Sequence, residues 1–219
     1  MQERHIVVQR TARYYVRGEP GARELWIVLH GYSQLARRFM RRFHSIDTPD
    51  RCIVAPEALN RYYSEHAPGF HTPDARICAT WMTKEDRDVE INDYIAYLDQ
   101  LHTQLLAEWP TPPARTVLLG FSQGVATAAR WGAHSPGRVD DILFWGGYLP
   151  PDLVRAAGLF GSARVRFVYG RRDGYTPPER VQPHSDALTA AGVAHEVVWF
   201  DGGHDIDAAT LERLAEAVA

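Results

Sequence analysis

Short apolar runs alternate with amphipathic stretches along most of this chain, and this alternation restricts the possible folds more than any other feature. Six runs predict strands, at residues 25–29, 52–55, 116–119, 141–145, 165–169 and 195–200. Most are apolar at consecutive positions, which is typical of strands that are buried on both faces of a parallel sheet. The alternation therefore predicts an α/β fold, in which a mostly parallel, twisted sheet carries helices on both faces.

The stretches between the runs predict five helices, at residues 34–43, 86–109, 123–134, 178–191 and 205–218. The clearest is the second, because its apolar residues recur at steps of three and four and form one stripe: Ile91, Ile95, Leu98, Leu101 with His102, and Leu105. Ahead of the first run, residues 6–9 and 13–16 alternate between apolar and polar. This pattern predicts an antiparallel hairpin at the edge of the sheet.

The length and composition of the chain fit one soluble domain. With 219 residues, of which 45% are hydrophobic and 23% charged, it can bury a core without disulfides or a structural metal. Neither an internal repeat nor a Gly/Ser linker divides the sequence, so we expect a single domain over residues 1–219. The net charge of −3 does not indicate a basic surface of the kind that binds nucleic acid.

The residues after Met1 read QERHIVVQRT, and their early charges are not those of a signal peptide or a spanning helix. We therefore expect a cytoplasmic protein without stable membrane insertion. Cys52 lies in an apolar run and Cys78 in a predicted loop, and both are expected to be free thiols. No zinc-type spacing joins the cysteines and histidines, so the sequence predicts neither a metal nor a cofactor.

Residues 56–81 show no clean period and contain three prolines and many aromatic residues. Long irregular loops are uncommon in compact domains unless they serve a function. We expect this loop to form one rim of a binding site.

The motif GFSQG at residues 120–124 is the clearest indication of chemistry. Ser122 follows an apolar strand and precedes a helix rich in small residues, so the chain must turn sharply there. Glycines two positions to either side remove side chains that would collide in such a turn. The turn exposes the Ser122 hydroxyl as a nucleophile and leaves the N–H of Gln123 at a helix N-terminus, where it can bind an oxyanion. The simpler alternative is an ordinary serine in a glycine turn.

A serine nucleophile at a strand-to-helix turn of this kind needs an acid and a histidine base further along the chain, in the order serine, acid, histidine. His204 in FDGGHD follows the last predicted strand, and Asp173 in GRRDGYTP follows the strand before it. Ser122, Asp173 and His204 then lie at carboxyl ends of strands, the edge where open α/β sheets bind ligands. Three other carboxylates are less suited by their positions in the sequence: Asp152, Asp201 and Asp205.

The residues His30, Gly31 and Tyr32 directly follow another predicted strand. In this architecture the loop at that point supplies the second N–H donor of an oxyanion hole. We assign this donor to the backbone of Tyr32, with Gly31 allowing close approach. His30 is expected to be a structural, hydrogen-bonded histidine.

Together these motifs resemble those of the α/β-hydrolase superfamily and, within it, the phospholipase/carboxylesterase family that includes acyl-protein thioesterases. The matching segments are LHGYSQ (29–34), GFSQG (120–124), GGYLP (146–150), GRRDGYTP (170–177) and GGHD (202–205). The resemblance implies a Ser122, Asp173 and His204 triad, with oxyanion donors at Tyr32 and Gln123.

The chain also departs from the family's usual pattern. Val125 stands where a second glycine often follows the serine motif, and Tyr32-Ser33-Gln34 replaces a Gly/Asp-rich continuation after the HG pair. The segment of residues 79–82 does not belong to the general pattern. These differences concern helix packing and the shape of the acyl pocket, while the fold and the triad are retained.

We therefore expect an α/β-hydrolase fold without a cap domain, acting as a serine carboxylesterase on short- to medium-chain acyl esters through an acyl-enzyme. An acyl thioesterase or lysophospholipase would use the same triad, and a non-catalytic hydrolase-like binding protein is a third alternative. The expected partner is a small acyl ester or thioester, and the sequence leaves monomer and homodimer open. Five residues are candidates to line the substrate pocket: Trp81, Met82, Tyr148, Leu149 and Tyr175.

Overall fold

The computed structural model describes residues 1–64, 75–135, 137–154 and 158–216. In these ranges the chain forms the strands β1 (Tyr14–Arg17), β2 (Glu24–Leu29), β3 (Arg51–Pro56), β4 (Asn60–Tyr63), β5 (Ile77–Thr80), β6 (Arg115–Phe121), β7 (Asp141–Trp145), β8 (Arg164–Gly170) and β9 (Glu196–Phe200). The helices are α1 (Ala36–Phe39), α2 (Arg87–Glu108), α3 (Gln123–His134), α4 (Pro178–Ala190) and α5 (Ala208–Glu216).

Seven strands form one sheet in the order β1-β3-β2-β6-β7-β8-β9. Every neighbouring pair is parallel except β1 and β3, which are antiparallel. The predicted α/β-hydrolase fold is confirmed, and all six predicted strands are present with bounds that differ by at most two residues. The seven-stranded sheet contains strands from both halves of the chain. This is compatible with a single domain over residues 1–219, which remains a prediction.

The sheet is covered on both faces, as the consecutive apolar positions predict. All six residues of β2 are buried. Leu25, Ile27 and Leu29 belong to one apolar cluster, which includes the buried faces of α2, α3 and α4. Trp26 and Val28 point to the other cluster, which includes α1 and α5. Successive side chains of a strand face opposite ways, so a doubly covered strand must be apolar throughout.

Two helices differ from their predicted form. The helix predicted at residues 34–43 is one α-helical turn, α1, followed by a 3₁₀ helix over Met40–Ile46. Its buried residues Met40, Phe43 and Ile46 are spaced by three, which matches the three-residue turn of a 3₁₀ helix. In α2 the buried stripe begins with Tyr94, while Ile91 and Ile95 are only half-buried. The last residues of the helix predicted at 205–218 lie outside the described ranges.

The hairpin predicted at residues 6–9 and 13–16 is wrong. Its second half forms β1, but β1 pairs with β3, and residues 6–9 form no strand. The N-terminal segment is held elsewhere, because His5 bonds Asp86 at 2.9 Å and Arg10 donates to the carbonyl of Leu59. Its β-branched residues therefore stay exposed: Ile6, Val7 and Val8.

The long loop predicted at residues 56–81 contains regular structure, so that part of the prediction is also wrong. β4 and β5 form a separate antiparallel ribbon, with Tyr62 opposite Cys78. Each strand has only four residues, too few to show a period in the sequence. Cys78 therefore lies in a strand rather than a loop, and both Cys52 and Cys78 are free and buried. Residues 65–74 of this segment lie outside the described ranges.

Candidate active site

Ser122 occupies a strained turn between β6 and α3. Its backbone has φ 55° and ψ −116°, a conformation that costs an L-residue free energy and recurs at functional turns. Both flanking glycines are required by close backbone contacts. A Cβ at Gly120 would lie 2.3 Å from the carbonyl oxygen of Gly124, and a Cβ at Gly124 would lie 2.3 Å from that of Leu29. The GFSQG spacing therefore follows from how tightly the turn packs.

The structure brings the three predicted triad residues together in one hydrogen-bonded line. Nε2 of His204 lies 3.0 Å from Oγ of Ser122, and Nδ1 of His204 lies 2.7 Å from Oδ2 of Asp173. The three residues follow β6, β8 and β9, at the carboxyl edge of the sheet. This arrangement lets the imidazole accept the serine proton while the carboxylate fixes its tautomer.

Asp173 is almost fully buried, at 2% exposure. Burial raises the pKa of its carboxyl, but hydrogen bonds from His204, from the Thr176 hydroxyl at 2.7 Å and from the Tyr175 N–H at 2.8 Å outweigh burial. The net effect lowers the pKa below its usual value, so the carboxyl remains ionised and able to accept from Nδ1 of His204.

The three rival carboxylates are held by arginines instead. Asp152 accepts from Arg130 at 2.9 Å, and Asp205 accepts from Arg42 at 2.5 Å. The remaining rival, Asp201, pairs with Arg172 on the surface. None of these pairs involves the imidazole of His204, in agreement with the choice of Asp173 from the sequence.

His30 has the geometry of a structural histidine. It is fully buried, its Nδ1 donates to the carbonyl of Gly31 at 2.8 Å, and its Nε2 accepts from the N–H of Ala58 at 3.1 Å. Burial lowers the pKa of its imidazole, which favours the neutral form that these two bonds require. Both ring nitrogens are occupied, so His30 is not available as a second base.

The loop of Gly31 and Tyr32 passes directly beside the serine. A Cβ at Gly31 would lie 3.1 Å from Cβ of Ser122, so only glycine allows this approach without displacement. The Gln123 N–H belongs to the first residue of α3 and has no partner within its own helix. The loop that carries Tyr32 and the first residue of α3 therefore both adjoin Ser122, and the role of their two N–H groups as oxyanion donors remains a prediction.

Several contacts around the triad were not predicted from the sequence. Gly146 follows β7 with φ 62°, and a Cβ there would lie 3.2 Å from Nδ1 of His204. The rings of Phe121 and Tyr175 pack on the His204 imidazole, with centroids 4.9 and 4.7 Å away. The bond from the Tyr175 N–H to Asp173 could have been suspected, because an aspartate side chain often accepts from the backbone N–H two residues on.

The five predicted pocket residues have different environments. Tyr175 is the most exposed, at 76%, and Met82 and Tyr148 are half-buried. Trp81 is 1% exposed and Leu149 is 3% exposed, so both are packed in the core of the protein. Trp81 donates its indole N–H to the carbonyl of His30 at 2.8 Å. Pocket lining by these five residues stays a prediction.

Potential metal ligands gather at one place within the described ranges. Glu3, His5 and Asp86 bring a ligand atom each within 4.8 Å of one another, and all three are exposed. Their carboxylates and imidazole lie on the surface, where the N-terminal segment meets the start of α2. No triad residue belongs to this cluster.

The strand order, the strained serine and the position of the triad define an α/β hydrolase. A sequence model of the phospholipase/carboxylesterase family matches residues 16–219, and the chain belongs to that family. It is therefore an ester hydrolase by class. A comparison with curated protein sequences gives no match. Within the described residues, no helix combines the length and apolarity needed to cross a bilayer.

Solved structures of several esterases resemble the chain in fold. Acyl-protein thioesterase 2 of Zea mays has a TM-score of 0.66 and 18% identity over 95% of this chain and 98% of its own. Esterase PE8 has a TM-score of 0.69 and 22% identity over 95% of this chain and 98% of its own. The Bacillus cereus carboxylesterase has a TM-score of 0.68 and 13% identity over 94% of this chain and 92% of its own. At these identities the likeness extends to the fold alone.

Proposed function

We propose that this protein is a serine carboxylesterase that hydrolyses short- to medium-chain acyl esters through Ser122, His204 and Asp173. The observation that carries the proposal is the hydrogen-bonded line from Ser122 Oγ through the imidazole to the buried carboxylate, with distances of 3.0 and 2.7 Å. A glycine turn with an ordinary serine would require neither the strained backbone nor a histidine at this position.

In the acylation step, Nε2 of His204 accepts the Ser122 proton as Oγ attacks the ester carbonyl. The carbonyl oxygen becomes an oxyanion, to which the N–H groups of Tyr32 and Gln123 donate. The ionised Asp173 stabilises the imidazolium that forms. Collapse of the tetrahedral intermediate breaks the bond to the alcohol oxygen, and His204 returns the proton to that oxygen.

The product of this step is an acyl-enzyme on Ser122. Water then takes the place of the alcohol, gives a proton to His204 and attacks the acyl carbonyl. The second tetrahedral intermediate expels Ser122 Oγ, which regains its proton from His204. The net reaction consumes one ester and one water and releases one acid and one alcohol.

A preference for small acyl groups is supported by the exposure of two aromatic side chains beside the site. Tyr32, in the loop after β2, is 59% exposed, and Tyr175, whose ring packs on His204, is 76% exposed. The candidates that would wall a deep acyl channel, Trp81 and Leu149, are instead packed in the core. A thioester would use the same groups, and one fold neighbour is described as a thioesterase.

Hydrolysis of a panel of p-nitrophenyl esters from acetyl to palmitoyl tests the proposal, with an acyl thioester and a lysophospholipid beside them. We expect the highest kcat/KM on short to medium esters. Ser122→Ala should abolish both turnover and covalent labelling by a fluorophosphonate. Near wild-type hydrolysis by Ser122→Ala would refute the serine mechanism. A wild-type protein that is neither labelled by the fluorophosphonate nor active on any of the substrates would indicate a binding protein.

The two buried free cysteines are compatible with a reducing compartment, so we also propose a cytoplasmic location. Sedimentation of the purified chain distinguishes the monomer and homodimer that the sequence leaves open. Cell fractionation tests the location.

A further inference from the structure

One short segment, residues 79–82, contacts both places that carry the proposed oxyanion donors, the loop after β2 and the start of α3. On one side, Ala79 of β5 forms two backbone hydrogen bonds with the loop after β2. Its carbonyl accepts from the N–H of Ser33 at 3.0 Å, and its N–H donates to the carbonyl of Gln34 at 3.2 Å. These bonds fix the two residues that directly follow Tyr32.

On the other side, the next residues bind the side-chain amide of Gln123. Nε2 of Gln123 donates to the carbonyl of Met82 at 2.8 Å and to the Thr80 hydroxyl at 2.9 Å. Its Oε1 accepts from the N–H of Trp81 at 3.1 Å. The amide is thus satisfied by three consecutive residues of one segment.

Such a link matters because Gln123 begins α3. The Gln123 N–H shares a peptide plane with the Ser122 carbonyl, which accepts from the Val125 N–H at 3.0 Å, so any shift of the first turn of α3 also moves this donor. The electrostatic gain from an oxyanion hole depends on donors that are already aimed at the oxyanion, and small misplacements reduce turnover strongly. The amide contacts supply a fixed anchor for the donating residue.

We propose that the side chain of Gln123 and the hydroxyl of Thr80 are positioning residues, which hold the Gln123 N–H at a fixed separation from the Tyr32 N–H. Neither side chain touches the reacting atoms in this proposal. The inference rests on the proposed esterase function, because it assigns a role in stabilising that reaction's oxyanion. It explains why the chain carries a long amide directly after the nucleophile and a threonine at the end of β5.

Kinetics of Gln123→Met test the proposal, because methionine keeps most of the volume and removes all three hydrogen bonds. We expect kcat to fall about 10- to 100-fold, with KM changed less than about threefold, since the ground-state ester does not need the donor's exact direction. Thr80→Val removes one of the three partners and should give a smaller fall in kcat. In the double variant, kcat should fall by less than the product of the two single-variant factors, because both side chains act through the same set of hydrogen bonds.

A transition-state analogue separates positioning from general loosening. An acyl trifluoromethyl ketone forms an oxyanion adduct on the serine, so its Ki should rise in proportion to the loss in kcat/KM. The Ki of the corresponding secondary alcohol, which forms no oxyanion, should stay the same. Gln182→Ala is the matched control, because this exposed glutamine of α4 bonds only its helix neighbour Asp186 among the described residues.

The outcomes are distinguishable. Full kcat in Gln123→Met, or a rise in KM at unchanged kcat, would overturn the positioning role while an inactive Ser122→Ala upheld the esterase. Equal weakening of both inhibitors would also overturn it. Hydrolysis retained in Ser122→Ala would overturn the function and the inference together. If Gln123→Met unfolds at a temperature well below that of the wild type, the isosteric Thr80→Val tests the positioning role instead, by the same criteria for kcat, KM and Ki.

Discussion

Oδ2 of Asp173 lies 2.7 Å from Nδ1 of His204, on the edge of the imidazole ring remote from Ser122. In Asp173→Asn, the amide can present an N–H to Nδ1 and so stabilise the tautomer that cannot accept the serine proton. We expect kcat to fall by up to about ten-thousand-fold while KM changes little, as in other triads with this replacement. Stopped-flow or steady-state ester hydrolysis measures this, with circular dichroism to confirm the fold. A loss below about tenfold would contradict the role of Asp173.

Gly146 offers a test of how tightly the base is held. Its φ is 62°, and an added Cβ would meet the His204 ring at 3.2 Å. Gly146→Ala should therefore displace the imidazole from Ser122 and lower kcat at least tenfold, in addition to a loss of about 1 kcal/mol in the free energy of unfolding from the unfavourable φ.

Gly158→Ala is the matched control for that variant. Gly158 has φ 70°, but an added Cβ there meets no atom of the described residues within 4 Å. We expect a similar loss of stability in urea denaturation and no change in kcat. Equal activity losses in the two variants would show that backbone strain, rather than contact with His204, is responsible.

The triad could be predicted from the sequence because its signals are local. Ser122, Asp173 and His204 each follow an apolar run within a few residues, and parallel strands bring their carboxyl ends to one edge. The glycine spacing around Ser122 reflects contacts within five residues and with a neighbouring strand. Short-range patterns of this kind are sufficient to order a site on a parallel sheet.

Features that depend on packing between distant segments could not be predicted. Residues 6–9 have strand-like alternation, yet tertiary contacts such as that between His5 and Asp86 keep them away from β1. The β4 and β5 ribbon has strands too short to leave a pattern. The contact between Gln123 and Thr80 joins residues 43 apart, and a glutamine after the serine carries no sign of its partner.

His184 should make stability depend on pH. Burial and the nearby His195 lower the pKa of its imidazole from 6.5 to about 4, and its Nε2 accepts from the Leu149 N–H at 3.1 Å. Between those two pH values the unfolded chain binds the proton and the folded chain does not. The free energy of unfolding should therefore decrease as pH falls through this window, by on the order of 2 kcal/mol, and level off below it.

His184→Gln keeps an acceptor for the Leu149 N–H but cannot titrate, so its stability should change less between pH 6.5 and 4. Urea denaturation at several pH values measures the difference. Gln182→Ala, at an exposed residue of α4 that carries no titratable group, should keep the wild-type slope. An unchanged slope in His184→Gln would contradict this assignment of the pH dependence.

A buried ion network lies at the amino ends of the central strands, the edge of the sheet opposite the triad. Asp141 accepts from Nε of Arg115 at 2.9 Å and lies 3.2 Å from the guanidinium of Arg166. Asp141 and Arg166 are 3% and 1% exposed. Removing the carboxylate's charge leaves the two buried guanidinium groups only their longer contacts, Arg115 with Glu24 at 3.4 Å and Arg166 with Glu196 at 3.5 Å. Losing one partner of a buried ion pair is more costly than the original pair was favourable.

Asp141→Asn should therefore lower the free energy of unfolding by about 3 to 5 kcal/mol, while kcat of the folded fraction changes little because the triad is at the other edge. Arg172→Gln is the control for stability, because it breaks an exposed pair with Asp201, which should cost less than about 1 kcal/mol. Urea denaturation and ester hydrolysis on the same samples give both quantities. A similar small loss in the two variants would mean that water reaches Arg166 and Arg115 and replaces the missing charge.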